Sequence, residues 1–516
     1  MLGNGRCERE CSSPACHYDS GDCVNAENRV PVYVSPETIG LAVGSEAHPL
    51  PSIQMAIAQI WASFSSIYLL KGTHMLDFTQ DSESLVINTN VQIRPLLCSV
   101  SSHTLCSPGP VRIQLTHSAV TWVVTGTLTI ENVEFVGNFP LKPSCTLPQC
   151  LYCPAVHVVN GQPRSDRGEL VQDYAEQTIC DSYKDFALIR VSAGGQLSLN
   201  SVSFRLIQHQ LQSLISSQCG FLTLSQVTFS AITPRRNGAI SAVITHIGGP
   251  KEACGGFNFT NGLVELLNDG FEYNTGNPFS GFFSANMVSW VLFSDVHFQL
   301  NNVLGKWTDL TALVYINTSN SIEIRDCVFD STLTNGATVW VTTIKVPTLT
   351  LTLENCNFTS NYGHEVLHLT ATALTLQTDI TNCVFQENIA QDSIIGINGE
   401  IIQGKVTVSA LLATQNLGKY CLSVNTSVSV SLRQSDFSGN GDLPDVLAHI
   451  LNIYIRSSSS YMLLTPAVSR PVCLGTILLK DVAQYTLEFL LISHSNCAFG
   501  SPGLTHIGSP HSVIPT

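Results

Sequence analysis

Apolar and polar side chains alternate along most of this chain in short runs, and the runs share a phrase: apolar-x-apolar-x, a polar residue, Val or Cys, x, Phe. It reads LTIENVEF ending at Phe135, LSLNSVSF at Phe204, LTLSQVTF at Phe229, VLFSDVHF at Phe298, IEIRDCVF at Phe329 and LTLENCNF at Phe358. Looser copies are TDITNCVF at Phe385 and VSLRQSDF at Phe437. Period-2 alternation makes each run a strand with one buried face. The steps from Phe204 to Phe229, and from Phe298 through Phe329 and Phe358 to Phe385, are short and nearly equal, which indicates one coil of a solenoid per copy. The wider steps, into Phe204, Phe298 and Phe437, leave room for two or three coils with inserts.

Within the phrase the alternation slips by one residue at its polar centre, so two inward side chains are followed by a bend and two more inward side chains. Asn and Asp tolerate the left-handed backbone that such a bend needs. Stacking successive copies at about 4.8 Å puts like on like. Val133, Val202, Val227 and Val296, with Cys327, Cys356 and Cys383, are expected to form one inward ladder. Phe135 to Phe385 form a second, and Asn132, Asp326, Asn355 and Asn382 part of a polar one at the bend.

Helical periodicity occurs once. Ile53, Ala56, Ile57, Ile60 and Trp61 fall on one face after Ser52, a good N-cap, and are flanked by the strand-like VPVYVSPETIG and IYLLKGT. This opening, with the repeated phrase behind it, resembles the pectin-lyase-like superfamily. The resemblance implies an all-β chain: a right-handed parallel β-helix over residues 31–500, with an N-terminal capping helix closing its open end. An insert is expected near residues 140–185, a linker at 25–30 and a tail at 501–516. A multi-domain β-sandwich is the competing fold, disfavoured by the scarcity of Asn-Gly hairpin turns.

The chain has 516 residues, 44% hydrophobic and 12% charged. Its net charge of −14, from 24 basic and 38 acidic residues without a Lys/Arg run, argues against nucleic acid or an anionic membrane as partner. Eighteen cysteines point to an oxidising compartment. Four N-x-[ST] sequons, at Asn258, Asn317, Asn357 and Asn425, are glycosylation candidates in such a setting. Met1-Leu-Gly-Asn-Gly carries no signal-peptide pattern, and no run reaches about 18 apolar residues. Cysteine usage favours a reading frame that has lost its leader over an intracellular protein.

The first residues cannot build a core. Cys7, Cys11, Cys16 and Cys23 are separated by three, four and six residues, and Asp19 and Asp22 precede the last of them. Staples are needed at this size, and carboxylates beside amide oxygens suit Ca²⁺ better than zinc. Four cysteines allow three pairings. The segment GNGRCERECSSPACHYDSGDC resembles the second half of a Lin-12/Notch repeat (LNR), here residues 1–24. That resemblance implies a Cys7–Cys23 bond and a Ca²⁺ ion held by Asn4, Asp19 and Asp22. Cys11 and Cys16 then pair with each other or have lost partners upstream. The competing reading is a zinc knuckle, disfavoured because no His or further Cys stands at ligand spacing.

Other chemistry-bearing patterns have simpler explanations. His364-Glu365-Val-Leu-His368 spells a zinc-protease motif, but Gly363 precedes it and LTATALTLQ follows, a strand setting that lacks the helical geometry. Cys145, Cys150, Cys153 and Cys180 copy an iron–sulfur spacing and are read as disulfides bracing the insert. Cys327, Cys356 and Cys383 replace Val in the phrase and are read as small buried hydrophobes. Asp295, Asp326, Glu354 and Asp379 fall at bends in different phases, with Arg325 the nearby base, and are read as turn residues.

The expected function is that of an extracellular or cell-surface segment, non-enzymatic, whose β-helix presents a surface to a glycan or an extracellular protein. No membrane span is expected within it. The alternative is a polysaccharide lyase or glycoside hydrolase of the same fold.

Overall fold

The alternating runs become strands in the computed structural model. It describes residues 30–38, 42–58, 60, 64–76, 85–97, 110–115, 122–137, 156–159, 162–165, 187–209, 213–234, 242–249, 253–266, 279–303, 311–426 and 428–440, with short strands at 477–480, 484–488, 490–492, 505–507 and 511–513. The protein is all-β, and its described strands pair in parallel except for three short antiparallel pairs. Two compact units divide it, Met1–Tyr152 with Asp173–Ile232, and Cys153–Gln172 with Thr233–Thr516.

In the first unit the strands fall into three sets. Val30–Val34, Phe64–Leu69, Asn90–Pro95, Thr127–Glu131, Gln196–Asn200 and Phe221–Ser225 pair in succession without offset. Thr73–Leu76, Val111–Leu115, Val133–Gly137, Ser203–Arg205 and Thr228–Pro234 form a second set. Leu85–Ile87, Trp122–Val124, Ala187–Val191 and Ser213–Gln218 form a third. The expected stacks are present: Phe135 over Phe204 at 4.9 Å, and Phe204 over Phe229 at 5.0 Å. The wide step from Phe135 to Phe204 is a single coil, because the two pair directly and the intervening chain is inserted between them.

The second unit repeats this with longer strands. Thr311–Arg325, Ala337–Glu354, Glu365–Thr381 and Ser393–Ser409 each serve two sets, and Phe279–Gln299 runs on past the bend into the third. Val328–Asp330, Asn357–Thr359, Val384–Gln386 and Leu412–Thr414 follow the bends. Phe298, Phe329, Phe358 and Phe385 stack at 4.6, 4.6 and 4.5 Å. Two further copies of the phrase lack the Phe: Gly262 and Val264 pair with Val296 and Phe298, and Ala413 pairs with Phe385.

Bends have the left-handed backbone that their sequence predicts. φ is +53° at Asn132, +53° at Asp326, +56° at Asn355 and +53° at Asn382. Asn355 Nδ2 donates to Asp326 Oδ1 at 3.0 Å, and Asn382 Nδ2 to Asn355 Oδ1 at 3.3 Å. A second left-handed column, unforeseen, stands two residues past the inward Phe or Ala, at Leu300, Ser331, Ser360, Glu387 and Gln415. Behind it lies a buried amide ladder. Asn361, Asn388, Asn416 and Asn440 each sit three residues past the inward Phe or Ala, and none exceeds 6% exposure. Asn388 Nδ2 donates to Phe358 O and Asn416 Oδ1, while its Oδ1 accepts from the Asn361 amide. Each buried amide thereby satisfies its neighbour, and losing one would strand groups at a cost of about 1–3 kcal/mol each.

The helix is Ile53–Ala58, shorter than its pattern, with Ile53, Ala56 and Ile57 buried. Ser52 caps it, its Oγ accepting from the Met55 amide at 3.2 Å. Trp61 lies outside the described residues.

His246 breaks the apolar rule. It is fully buried on Ile244–Ile247 beside Ala285, and neither ring nitrogen has a hydrogen-bond partner among the described residues. Burial lowers its pKa from 6.5 to about 4. The unfolded chain therefore binds a proton that the folded one refuses, so stability is full above pH 6.5 and falls as pH drops toward 4. The loss amounts to about 3 kcal/mol. Denaturation midpoints of His246→Leu, compared with the parent across that window, are expected to lack this component; parallel curves for both would contradict it.

Candidate functional site

The zinc-protease letters lie on a strand, Glu365–Thr381. At its start the amides of His364 and Glu365 both reach Gly336 O, at 2.7 and 3.0 Å. This doubling breaks the alternation before the regular part of the strand. Beyond it, Leu367 and Leu369 point inward while His368 and Thr370 point outward. His364 is exposed, whereas Glu365 is only 3% exposed and lies beside His368. The two histidines therefore do not converge, and no group of three or more metal-binding side chains occurs among the described residues.

Glu365 and His368 converge instead. Glu365 Oε2 bonds His368 Nδ1 directly, and its Oε1 accepts from Ser393 Oγ at 2.6 Å. On the far side of the ring, Nε2 meets Thr370 Oγ1 at 2.6 Å. The carboxylate has room because position 396 is glycine: a Cβ there would stand 2.3 Å from Glu365 Oε1. Buried Glu365 thus holds the imidazole at Nδ1, and the Thr370 hydroxyl holds it at Nε2.

Two columns run through and beside the pair; in the first, Trp340 and His368 are partly exposed, while Ser284, Tyr315, Gly396 and Ser423 are buried. Ser284, Tyr315, Trp340, His368, Gly396 and Ser423 pair in register across neighbouring strands. Trp340 and His368 meet edge to face at 5.0 Å, and Tyr315 and Trp340 at 6.0 Å. Burial raises the Tyr315 pKa. Two residues further along the same strands runs a second column, Asn286, Asn317, Thr342, Thr370, Asn398 and Asn425, every member partly or fully exposed. Five strand spacings make this uncharged amide and hydroxyl row about 24 Å long.

The remaining candidates divide cleanly. Asn4, Asp19, Asp22, Cys7, Cys11, Cys16 and Cys23 lie outside the described residues, as do Cys145, Cys150, Cys153 and Cys180. Cys327, Cys356 and Cys383 are free and buried in the inward ladder. Hydrogen bonds with Cys356, and burial, hold the Cys327 and Cys383 thiols well above the usual range. Cys219 and Cys254, which the spacing did not single out, are disulfide-bonded. Asp295 and Asp326 are left-handed bend residues; Glu354 and Glu323 share Arg325 at 3.7 and 3.0 Å; and Asp379 accepts from Gln377 at 2.9 Å. All four sequon asparagines lie on strands.

Residues 1–24 match the family model of the Notch LNR domain. No curated protein and no solved structure matches the chain.

The Glu365 pocket is testable through Gly396. Gly396→Ala forces the carboxylate out of its bonds and is expected to cost about 2 kcal/mol. In a Glu365→Ala background that cost should largely vanish, giving a coupling above about 1 kcal/mol in a double-mutant cycle. Additive costs would contradict the geometry.

Proposed function

We propose that this chain is an extracellular or cell-surface segment in which each unit is a length of right-handed parallel β-helix of the pectin-lyase-like kind, with helix Ile53–Ala58 as its cap. We propose further that the second unit binds a neutral glycan on its outer face. Parallel pairing at intervals of one phrase supports the fold, and the LNR match supports the compartment, since such repeats occur in extracellular proteins. Calcium at Asn4, Asp19 and Asp22, and disulfides among the N-terminal and insert cysteines, belong to the same reading.

The observation that carries the binding reading is the uncharged row from Asn286 to Asn425 beside the partly exposed Trp340 and His368. Amides and hydroxyls match sugar hydroxyls in both donor and acceptor roles, and aromatic rings offer apolar surface to sugar C–H faces. A net charge of −14, with no Lys or Arg in the row, disfavours polyuronates. This weighs against the lyase alternative, whose substrates are acidic.

Affinity electrophoresis against soluble neutral and acidic polysaccharides tests the reading. At least one neutral polymer is expected to retard the protein, with Trp340→Ala weakening retention tenfold or more and no reducing ends released. Retention by polyuronates alone, or chain cleavage, would overturn it.

A further inference from the structure

Four sequons are equal in sequence but not in structure. Asn317 and Asn425 stand in the outward row, so a glycan on either would occupy the surface proposed to bind one. Ser319, the hydroxyl residue of the Asn317 sequon, is fully buried and donates to Ser321 O at 3.2 Å. Asn258 has a buried Oδ1. Asn357 is different. It points outward from Asn357–Thr359, opposite the inward Phe358, and both it and Thr359 are partly exposed. Thr359 Oγ1 donates to Asn357 Oδ1 at 2.7 Å. The side-chain nitrogen Nδ2 hydrogen-bonds no described residue, while the backbone N–H donates to Cys327 O at 2.9 Å.

The surface around it is also distinctive. Asn357 pairs with Val328 on one side and Val384 on the other, and Val384 pairs with Leu412, which is 37% exposed. An outward column on a strand is normally polar, and this one, which starts at exposed His297, carries three apolar side chains around Asn357.

We propose that Asn357 carries an N-linked glycan whose first sugars cover Val328, Val384 and Leu412. The reaction joins the Asn357 side-chain amide nitrogen to the anomeric carbon of an oligosaccharide carried on a polyprenyl pyrophosphate; the bond from that carbon to the phosphate oxygen breaks, the polyprenyl pyrophosphate leaves, and the amide loses one proton. The proposal rests on the extracellular placement above, but not on glycan binding by the outer row.

The test is secretion of the full chain from a eukaryotic host behind a cleavable signal. Amidase release in heavy-oxygen water, followed by peptide mass spectrometry, then reads each site. Labelled aspartate at 357 in most molecules is expected. Thr359→Ala should abolish it, Thr359→Ser should retain it, and the unglycosylated protein should bind an apolar dye several-fold more strongly. Secreted protein with unmodified Asn357 overturns the proposal, as does a glycan whose loss leaves dye binding unchanged. Affinity electrophoresis of unglycosylated protein reads the outer row separately, so either reading can fail alone.

Discussion

Parallel pairing without offset sets Phe329 between Phe298 and Phe358, and Asn388 between Asn361 and Asn416, so each side chain is judged against a like residue one strand away. Identical neighbours suit rings, which stack, and amides, each of which offers a donor and an acceptor. They suit charges poorly, and Glu323 and Glu354 share the intervening Arg325. The amide ladder leaves little freedom of register. A slip of one residue would bury outward side chains and strand several amide groups at once.

The same register builds the surface. Outward positions on successive strands make straight columns, so residues far apart in sequence, such as Asn286 and Asn425, form one row. Glu365 enters this lattice from the side, through the doubled bonding at Gly336 O and the space left by Gly396. Its carboxyl group bonds Ser393 and His368, which fixes the imidazole beside the row.

Much of the fold was legible because stacking repeats one phrase. Asn132, Asp326, Asn355 and Asn382 were read as left-handed bends from their chemistry, and they are. Gln226, Ala410 and Gln434 adopt the same backbone without that local preference, imposed by the strands on either side. The Phe-x-x-Asn signal that marks the amide ladder is present at Phe298, Phe358, Phe385 and Phe437, yet the phrase was read only as far as its Phe. Copies at Val264 and Ala413 were hidden because both lost that Phe. The strand setting of His364 to His368 was legible, but the meeting of Glu365 with His368 was not. It depends on Ser393 and Gly396, a full coil further along the sequence, which only the pairing brings near.

Register is therefore what most needs measuring in solution. His297, Val328, Asn357, Val384 and Leu412 are paired in succession, which places residues 297 and 412 four strand spacings apart, about 19 Å between Cα atoms. Nitroxide labels introduced at these two positions by a chemistry that spares cysteine should give one narrow distance distribution centred within a label's length of that value. A broad distribution, or a maximum beyond about twice it, would contradict in-register parallel stacking.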